Sequence, residues 1–144
     1  MALAENRRAY FDYKIHKEYE AGIELFGFEV KAVRSGKMDL SGSYAVPRSG
    51  EAFLINSKIQ PYQSKNAPPE YNPERSRRLL LHKKEIIEIF DKINRGLTLL
   101  PLRVYDKKGK IKILLGLGRR IKKGDKREKI KKKEDIRKIK KLVA

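Results

Sequence analysis

Leu99-Leu100-Pro101-Leu102-Arg103-Val104-Tyr105, then Asp106-Lys107-Lys108-Gly109, then Lys110-Ile111-Lys112-Ile113-Leu114-Leu115-Gly116-Leu117-Gly118 reads as two strands and the turn between them. Apolar residues alternate with polar ones on both sides of a turn-forming tetrapeptide, the pattern of a hairpin with one face buried. The inward set expected from this alternation is Leu100, Leu102, Val104, Ile111, Ile113, Leu115 and Leu117. A second hairpin is expected upstream, where Ser43 to Val46 and Ala52 to Ile59 flank Pro47-Arg48-Ser49-Gly50-Glu51. Its glycine stands where a positive φ is needed.

Further out, Tyr10 to Ile15 and Ala21 to Phe26 alternate as strands do, and Gly27 interrupts the second run. Val30 and Val33 are spaced for one face of a short helix, with Glu29 in its first turn and Gly36 at its end, which leaves Lys31 and Arg34 facing outward. Ile86, Ile89, Phe90 and Ile93 form an amphipathic helix face ended by Gly96, and a shorter helical stretch is expected around Glu74 to Leu81. Ahead of both, Pro61 to Pro73 holds four of the six prolines and no hydrophobic period, so it reads as an exposed loop. The fold class that follows is mainly β: an OB-like antiparallel barrel of about six strands with three short helices, closed so that few sheet edges are exposed.

The 144 residues suffice for one core of this kind, and we expect residues 1–118 to form it. Lys and Arg number 36 against 18 Asp and Glu, a net charge of +18, which calls for a polyanionic partner, nucleic acid above all. Residues 119–144 carry 14 Lys and Arg against 4 Asp and Glu. That composition buries too little apolar surface to offset the entropy of ordering, so the segment is expected to be a basic tail, disordered when the protein is free. Ile136, Ile139 and Val143 nonetheless share one helical face.

Several function classes are disfavoured. No cysteine is present and the two histidines, His16 and His82, are far apart, so no metal or cofactor is implied. Gly109-Lys110 lacks the spacing of a phosphate-binding loop, and Gly116 and Gly118 lack the third glycine of a dinucleotide fingerprint, so they read as ending a strand. No apolar run nears the roughly 20 residues of a membrane span, and Met1-Ala-Leu-Ala-Glu-Asn begins no signal peptide. A cytoplasmic, monomeric, non-catalytic protein is expected. Composition alone is compatible with a small structural ribosomal protein or a general RNA chaperone.

A set of short motifs narrows this. Asn6-Arg7-Arg8-Ala9, Tyr19-Glu20-Ala21-Gly22-Ile23, Gly27-Phe28-Glu29-Val30-Lys31, Arg34-Ser35-Gly36, Ile59-Gln60-Pro61-Tyr62, Leu79-Leu80-Leu81-His82-Lys83-Lys84-Glu85-Ile86 and Asp125-Lys126-Arg127 occur in an order and spacing that resembles the SmpB, or SsrA-binding protein, family. The resemblance spans nearly the whole chain. It implies an OB-like barrel that binds the tRNA-like domain of transfer-messenger RNA and brings it to stalled ribosomes for trans-translation. It also implies that Glu20, Leu80 and His82 belong to the face holding the RNA. Lys31, Arg34, Lys83 and Lys84 are assigned to phosphate contacts by their charge and their place in the matching motifs.

The family's tail occupies the decoding site and mRNA channel of the small subunit, where it becomes helical. By resemblance this falls to Lys122, Lys123, Gly124, Asp125, Lys126 and Arg127, with the Ile136 and Ile139 stripe. The chain departs from its relatives at three places. Gly124 stands where Tyr or His usually precedes the Asp and cannot stack on a base. Arg120-Ile121 replaces the usual Gly-Lys, and Phe11 stands where many relatives have His.

Overall fold

The apolar alternation of the C-terminal half becomes two long strands, and the sheet is arranged around them. The computed structural model describes residues 2–122. In chain order these hold β1 (Ala2–Glu5), α1 (Arg7–Asp12), β2 (Tyr13–Ile23), α2 (Gly27–Arg34), β3 (Met38–Asp39), β4 (Tyr44–Arg48), β5 (Glu51–Ile55), β6 (Lys58–Ile59), β7 (Arg77–Leu80), α3 (Lys83–Asn94), β8 (Thr98–Lys107) and β9 (Lys110–Arg120). A single 3-10 turn spans Ser64–Asn66. Six strands, in the order β8-β4-β5-β7-β2-β9, close into a ring when β9 pairs back onto β8, and every neighbouring pair is antiparallel. This is the expected mainly β fold with three helices. β1 adds to the outer edge of β8, and β3 pairs with β6 apart from the ring.

The seam β2–β9–β8 carries most of the ladder, with nine paired positions on each side of β9. The β4–β8 join rests on Ala45 opposite Leu99. Both hairpins turn through two residues of positive φ, Ser49-Gly50 between β4 and β5 and Lys108-Gly109 between β8 and β9. Such turns match the twist of the strands they join, which accounts for a glycine at each second position.

Inside the ring, Tyr19, Ala21, Leu54, Leu79, Leu99, Val104, Ile113, Leu115 and Leu117 pack together, with Ala32 and Val33 of α2 and Ile89 of α3 closing over them. A smaller cluster of Ala9, Leu100 and Leu102, with Tyr13, Ile15 and Leu114 against it, lies under α1. The alternation in β8 therefore does not face one side throughout. The register slips between Pro101 and Arg103, and a bulge reverses side-chain parity. Leu100 and Leu102, expected inward with Val104, are buried in the second cluster instead, while Leu99 joins the main core.

Other expectations also need correction. The segment Glu74 to Leu81 is not helical: Arg77–Leu80 is β7, paired with β5 and β2. It alternates as a strand should, but one of its two buried residues is Arg77, so the inward arginine hid the period. Tyr10 to Asp12, expected in a strand, lie in α1, a six-residue helix too short to show a periodic stripe. In α3, Phe90 is 56% exposed, and only Ile89 of the expected face is fully buried.

Gly116 and Gly118 do not end a strand, because β9 continues to Arg120, two residues past the expected boundary at 118. Their lack of a side chain is instead a matter of closeness. A Cβ on Gly118 would stand 2.3 Å from the Lys14 carbonyl oxygen, a backbone atom across the β2–β9 ladder. Gly118→Ala is expected to force the two strands apart and lower stability by about 1–3 kcal/mol; urea denaturation checks this, and an unchanged midpoint would contradict it.

Candidate nucleic-acid interface

The inward alternation of β2 buries Tyr19 and Ala21 and so turns Glu20 outward. There its carboxylate accepts hydrogen bonds from the Tyr105 hydroxyl and from Lys107 Nζ, the latter at 3.0 Å. These two donors hold the Glu20 carboxyl below the usual carboxylate range. Burial, and then the hydrogen bond to Glu20, push Tyr105 up to about 12. Glu20 is thus an ionised acceptor held in place from β8. A carboxylate offers about four lone-pair positions, so capacity remains for the donors of a base edge or a 2′-hydroxyl.

Beside it the β2–β7 ladder ends with Gly22 opposite Leu80. The outward position on β7 leaves Leu80 51% exposed, and a Cβ on Gly22 would lie 3.1 Å from Leu80 Cδ1, so the leucine lies across a position that carries no side chain. Leu80 and Gly22 share a shallow concavity with Leu25, Val30, Arg34 and Lys112. His82 follows two residues after Leu80, beyond the end of β7 and at the start of α3. The structure therefore brings Glu20, Leu80 and, at its rim, Arg34 to one outward region.

His82 is an exposed residue between β7 and α3, not between two helices. Its backbone N–H donates to the Glu85 carboxylate at 3.0 Å, and its carbonyl accepts the N–H of Ile86. Lys83 and Lys84 are exposed in the first turn of α3. Cations there work against the helix dipole, and a bound anion would relieve that conflict. α3 is itself fastened to β2, because Glu88 accepts from Lys17 and, at 2.6 Å, from the Tyr19 hydroxyl.

The α2 cations are partly engaged. Arg34 donates to Asp106 at 2.9 Å and to the Gly109 carbonyl at 2.8 Å, which docks α2 on the tip of the β8–β9 hairpin. Lys31 Nζ lies 5.1 Å from the centre of the half-exposed Tyr62 ring. In the first motif, Asn6 serves the fold, since its side chain donates to the Pro101 carbonyl and its backbone to Leu102, at the bulge of β8. Arg8 stands 5.4 Å over the ring of Phe11. Lys122 is exposed just beyond β9. Lys123, Gly124, Asp125, Lys126, Arg127, Ile136 and Ile139 lie outside the described residues.

A buried ionic network, of which the motifs contain only Glu29, lies behind this surface and has no signature in any one stretch of the sequence. Glu29, read only as an acid suited to a helix start, is fully buried. Its carboxylate accepts from Arg77 Nη2 at 2.7 Å and Nε at 3.0 Å, from Arg75, from the Tyr71 hydroxyl at 2.8 Å, and from the Phe26 N–H at 2.9 Å. Arg77, also fully buried, donates in addition to Ser57 and to the carbonyls of Arg75 and Pro73. Burial alone would raise the Glu29 pKa, but Arg75, the Phe26 N–H, Arg77 and Tyr71 together bring it below the usual value. The only local hint was an arginine at an inward strand position.

A ring of antiparallel strands carrying an outward acceptor, an apolar side chain beside it and a cationic rim belongs to the class of small basic β proteins that bind nucleic acid. Within that class the relationship is specific: the family model described as SmpB protein matches residues 3–144, and the chain belongs to this family. The SsrA-binding proteins of Nostoc punctiforme and Thermosynechococcus vestitus are each 45% identical to it over 142 residues, covering 98% of this chain and 92% and 93% of theirs. Among solved structures, a chain from one described as "tmRNA-SmpB: a journey to the center of the bacterial ribosome" is 47% identical, with a TM-score of 0.68 over 83% of this chain and 84% of that one.

Proposed function

We propose that this protein binds the tRNA-like domain of transfer-messenger RNA through the outward face of β2 and β7 and delivers it to stalled ribosomes for trans-translation. The observation that carries the reading is the juxtaposition of Glu20 and Leu80 in a chain of the SmpB family. Glu20 supplies a fixed acceptor, Leu80 an exposed apolar surface for a base or ribose, and His82, two residues further along the chain from Leu80, an exposed imidazole. Lys31, Arg34, Lys83 and Lys84 contribute phosphate contacts that orient the RNA without reading it. The work is binding and positioning in the cytoplasm by a monomer, with no bond made or broken. Beyond β9, Lys122, Lys123, Gly124, Asp125, Lys126 and Arg127, with the Ile136 and Ile139 stripe, engage the decoding site and mRNA channel. With Gly124 in place of an aromatic residue, that engagement rests on the charges of Lys126 and Arg127.

Glu20→Ala combined with His82→Ala is expected to weaken binding of the tRNA-like domain by roughly tenfold or more, since hydrogen bonds to a charged group are worth about 1.5–3 kcal/mol. Both residues are exposed, so the melting temperature should barely move. A large fall in melting temperature would assign them to structure instead. Lys83→Ala with Lys84→Ala should reduce the log-log salt dependence of binding by about 1.4–1.8, as measured by titration across salt concentrations.

A further inference from the structure

Two aromatic rings on the α2 side of the molecule are left exposed and are each accompanied by a cation. Phe26 is 51% exposed, and the Arg75 guanidinium carbon lies 4.0 Å from its ring centre; Tyr62 is 45% exposed, with Lys31 Nζ 5.1 Å from its centre. Neither ring belongs to the packed cores. Lys31 lies on α2, which begins next to Phe26, so the two pairs flank the same helix.

The Phe26 pair is held with unusual thoroughness for a surface feature. One carboxylate, Glu29, accepts the backbone N–H of Phe26 and the guanidinium that lies over the Phe26 ring. The same carboxylate accepts the hydroxyl of Tyr71, whose ring meets Phe28 edge-on at 4.8 Å, and Phe28 in turn lies 5.6 Å from Phe26. Backbone, cation and neighbouring rings are thus all fixed from one buried point. An exposed phenylalanine contributes little burial in return. What such an arrangement does provide is a planar surface whose ordering cost is already met before a ligand arrives.

We propose that Phe26 with Arg75 and Tyr62 with Lys31 form a stacking site for unpaired nucleobases of RNA, on the α2 side of the Leu80 concavity. Ring faces and guanidinium planes accept any base by stacking, and the adjacent cations suit the phosphates that link one base to the next. The site adjoins the proposed RNA face along the chain, because Leu25 and Val30, which line the concavity beside Leu80, bracket Phe26 in sequence. The inference rests on the RNA-binding reading above and adds to it a second point of contact, one that reads single-stranded character.

The test uses the full chain carrying Phe26→Leu and Tyr62→Leu, which keep charge and apolar character, and a second form carrying Phe26→Trp and Tyr62→Phe. The probes are a ten-nucleotide oligoadenosine, intact transfer-messenger RNA and isolated small ribosomal subunits. The leucine form is expected to bind oligoadenosine and at least one of the two large RNAs roughly fivefold to a hundredfold more weakly, with an unchanged salt slope, and the aromatic form to bind as the unaltered chain does. Which large RNA shows the loss tells whether the base belongs to transfer-messenger or ribosomal RNA. Unchanged affinity of the leucine form for all three probes overturns the proposal, and selective binding of transfer-messenger RNA by the unaltered chain would then still stand. If the unaltered chain bound none of the probes, the stacking site and the broader reading would fall together.

Discussion

Replacing Glu29 by Gln is expected to remove about 3–5 kcal/mol of folding stability, because it leaves the fully buried Arg77 and its neighbour Arg75 without their shared anion. Gln can still accept a hydrogen bond, but it cannot compensate a buried guanidinium. The consequence reaches beyond one pair, since the same carboxylate joins the start of α2, the Tyr71 loop and the inward side of β7. The network also gives stability a pH dependence of definite sign. Glu29 in the folded chain titrates below its ordinary value, so its contribution is complete above the unfolded carboxylate range near pH 4.3 and is lost as pH falls through the lower folded value. Urea denaturation between pH 3 and 7 should show the unaltered protein losing more stability on acidification than Glu29→Gln does. Equal stability of the two at pH 7, or parallel acid profiles, would contradict the role assigned to Glu29.

Ending the chain at Lys122 is expected to abolish ribosome rescue while leaving recognition of the tRNA-like domain intact. The deleted residues hold eleven Lys and Arg against four Asp and Glu, so affinity for any RNA will fall at low salt and the salt dependence will become shallower. The ratio of affinities for transfer-messenger RNA over a scrambled RNA should nevertheless stay within about threefold of the full chain, because Glu20, Leu80 and His82 all remain and phosphate contacts carry no sequence information. A tagging assay on ribosomes stalled at the end of a truncated message reads the other half. Tagging at more than about a tenth of the full-chain rate would contradict the tail's proposed place in the decoding region.

Sequence reading recovered the parts of this fold governed by local periodicity. The hairpin between residues 99 and 118 alternates apolar and polar residues over two long strands, and its turn residues match the positive φ found at Lys108 and Gly109. It failed where a tertiary contact overrode the local pattern. An arginine can occupy an inward strand position only if an anion awaits it, and Glu29 lies 48 residues away from Arg77, so β7 looked helical. The bulge at Leu102 reversed the burial of its neighbours without any change in their apolar character.

The site was legible in a different way. An exposed glutamate on a strand has no distinguishing local signature, so Glu20, Leu80 and His82 came from the family resemblance and not from spacing. The partners that fix Glu20, Tyr105 and Lys107, are 85 and 87 residues distant. Closure of the ring brings them together, and no window along the chain contains them. The same holds for Phe26 and Arg75, which are far apart in the chain and meet where both donate to the buried Glu29 carboxylate.

Recognition of the tRNA-like domain of transfer-messenger RNA by the outward face of β2 and β7 can be put to a competition titration at physiological salt. In it the purified full chain chooses between that domain and a scrambled RNA of equal length and composition. At least tenfold tighter binding to the tRNA-like domain is expected, with the preference lost in the Glu20→Ala, His82→Ala form. Equal affinity of the unaltered chain for the two RNAs would contradict that recognition.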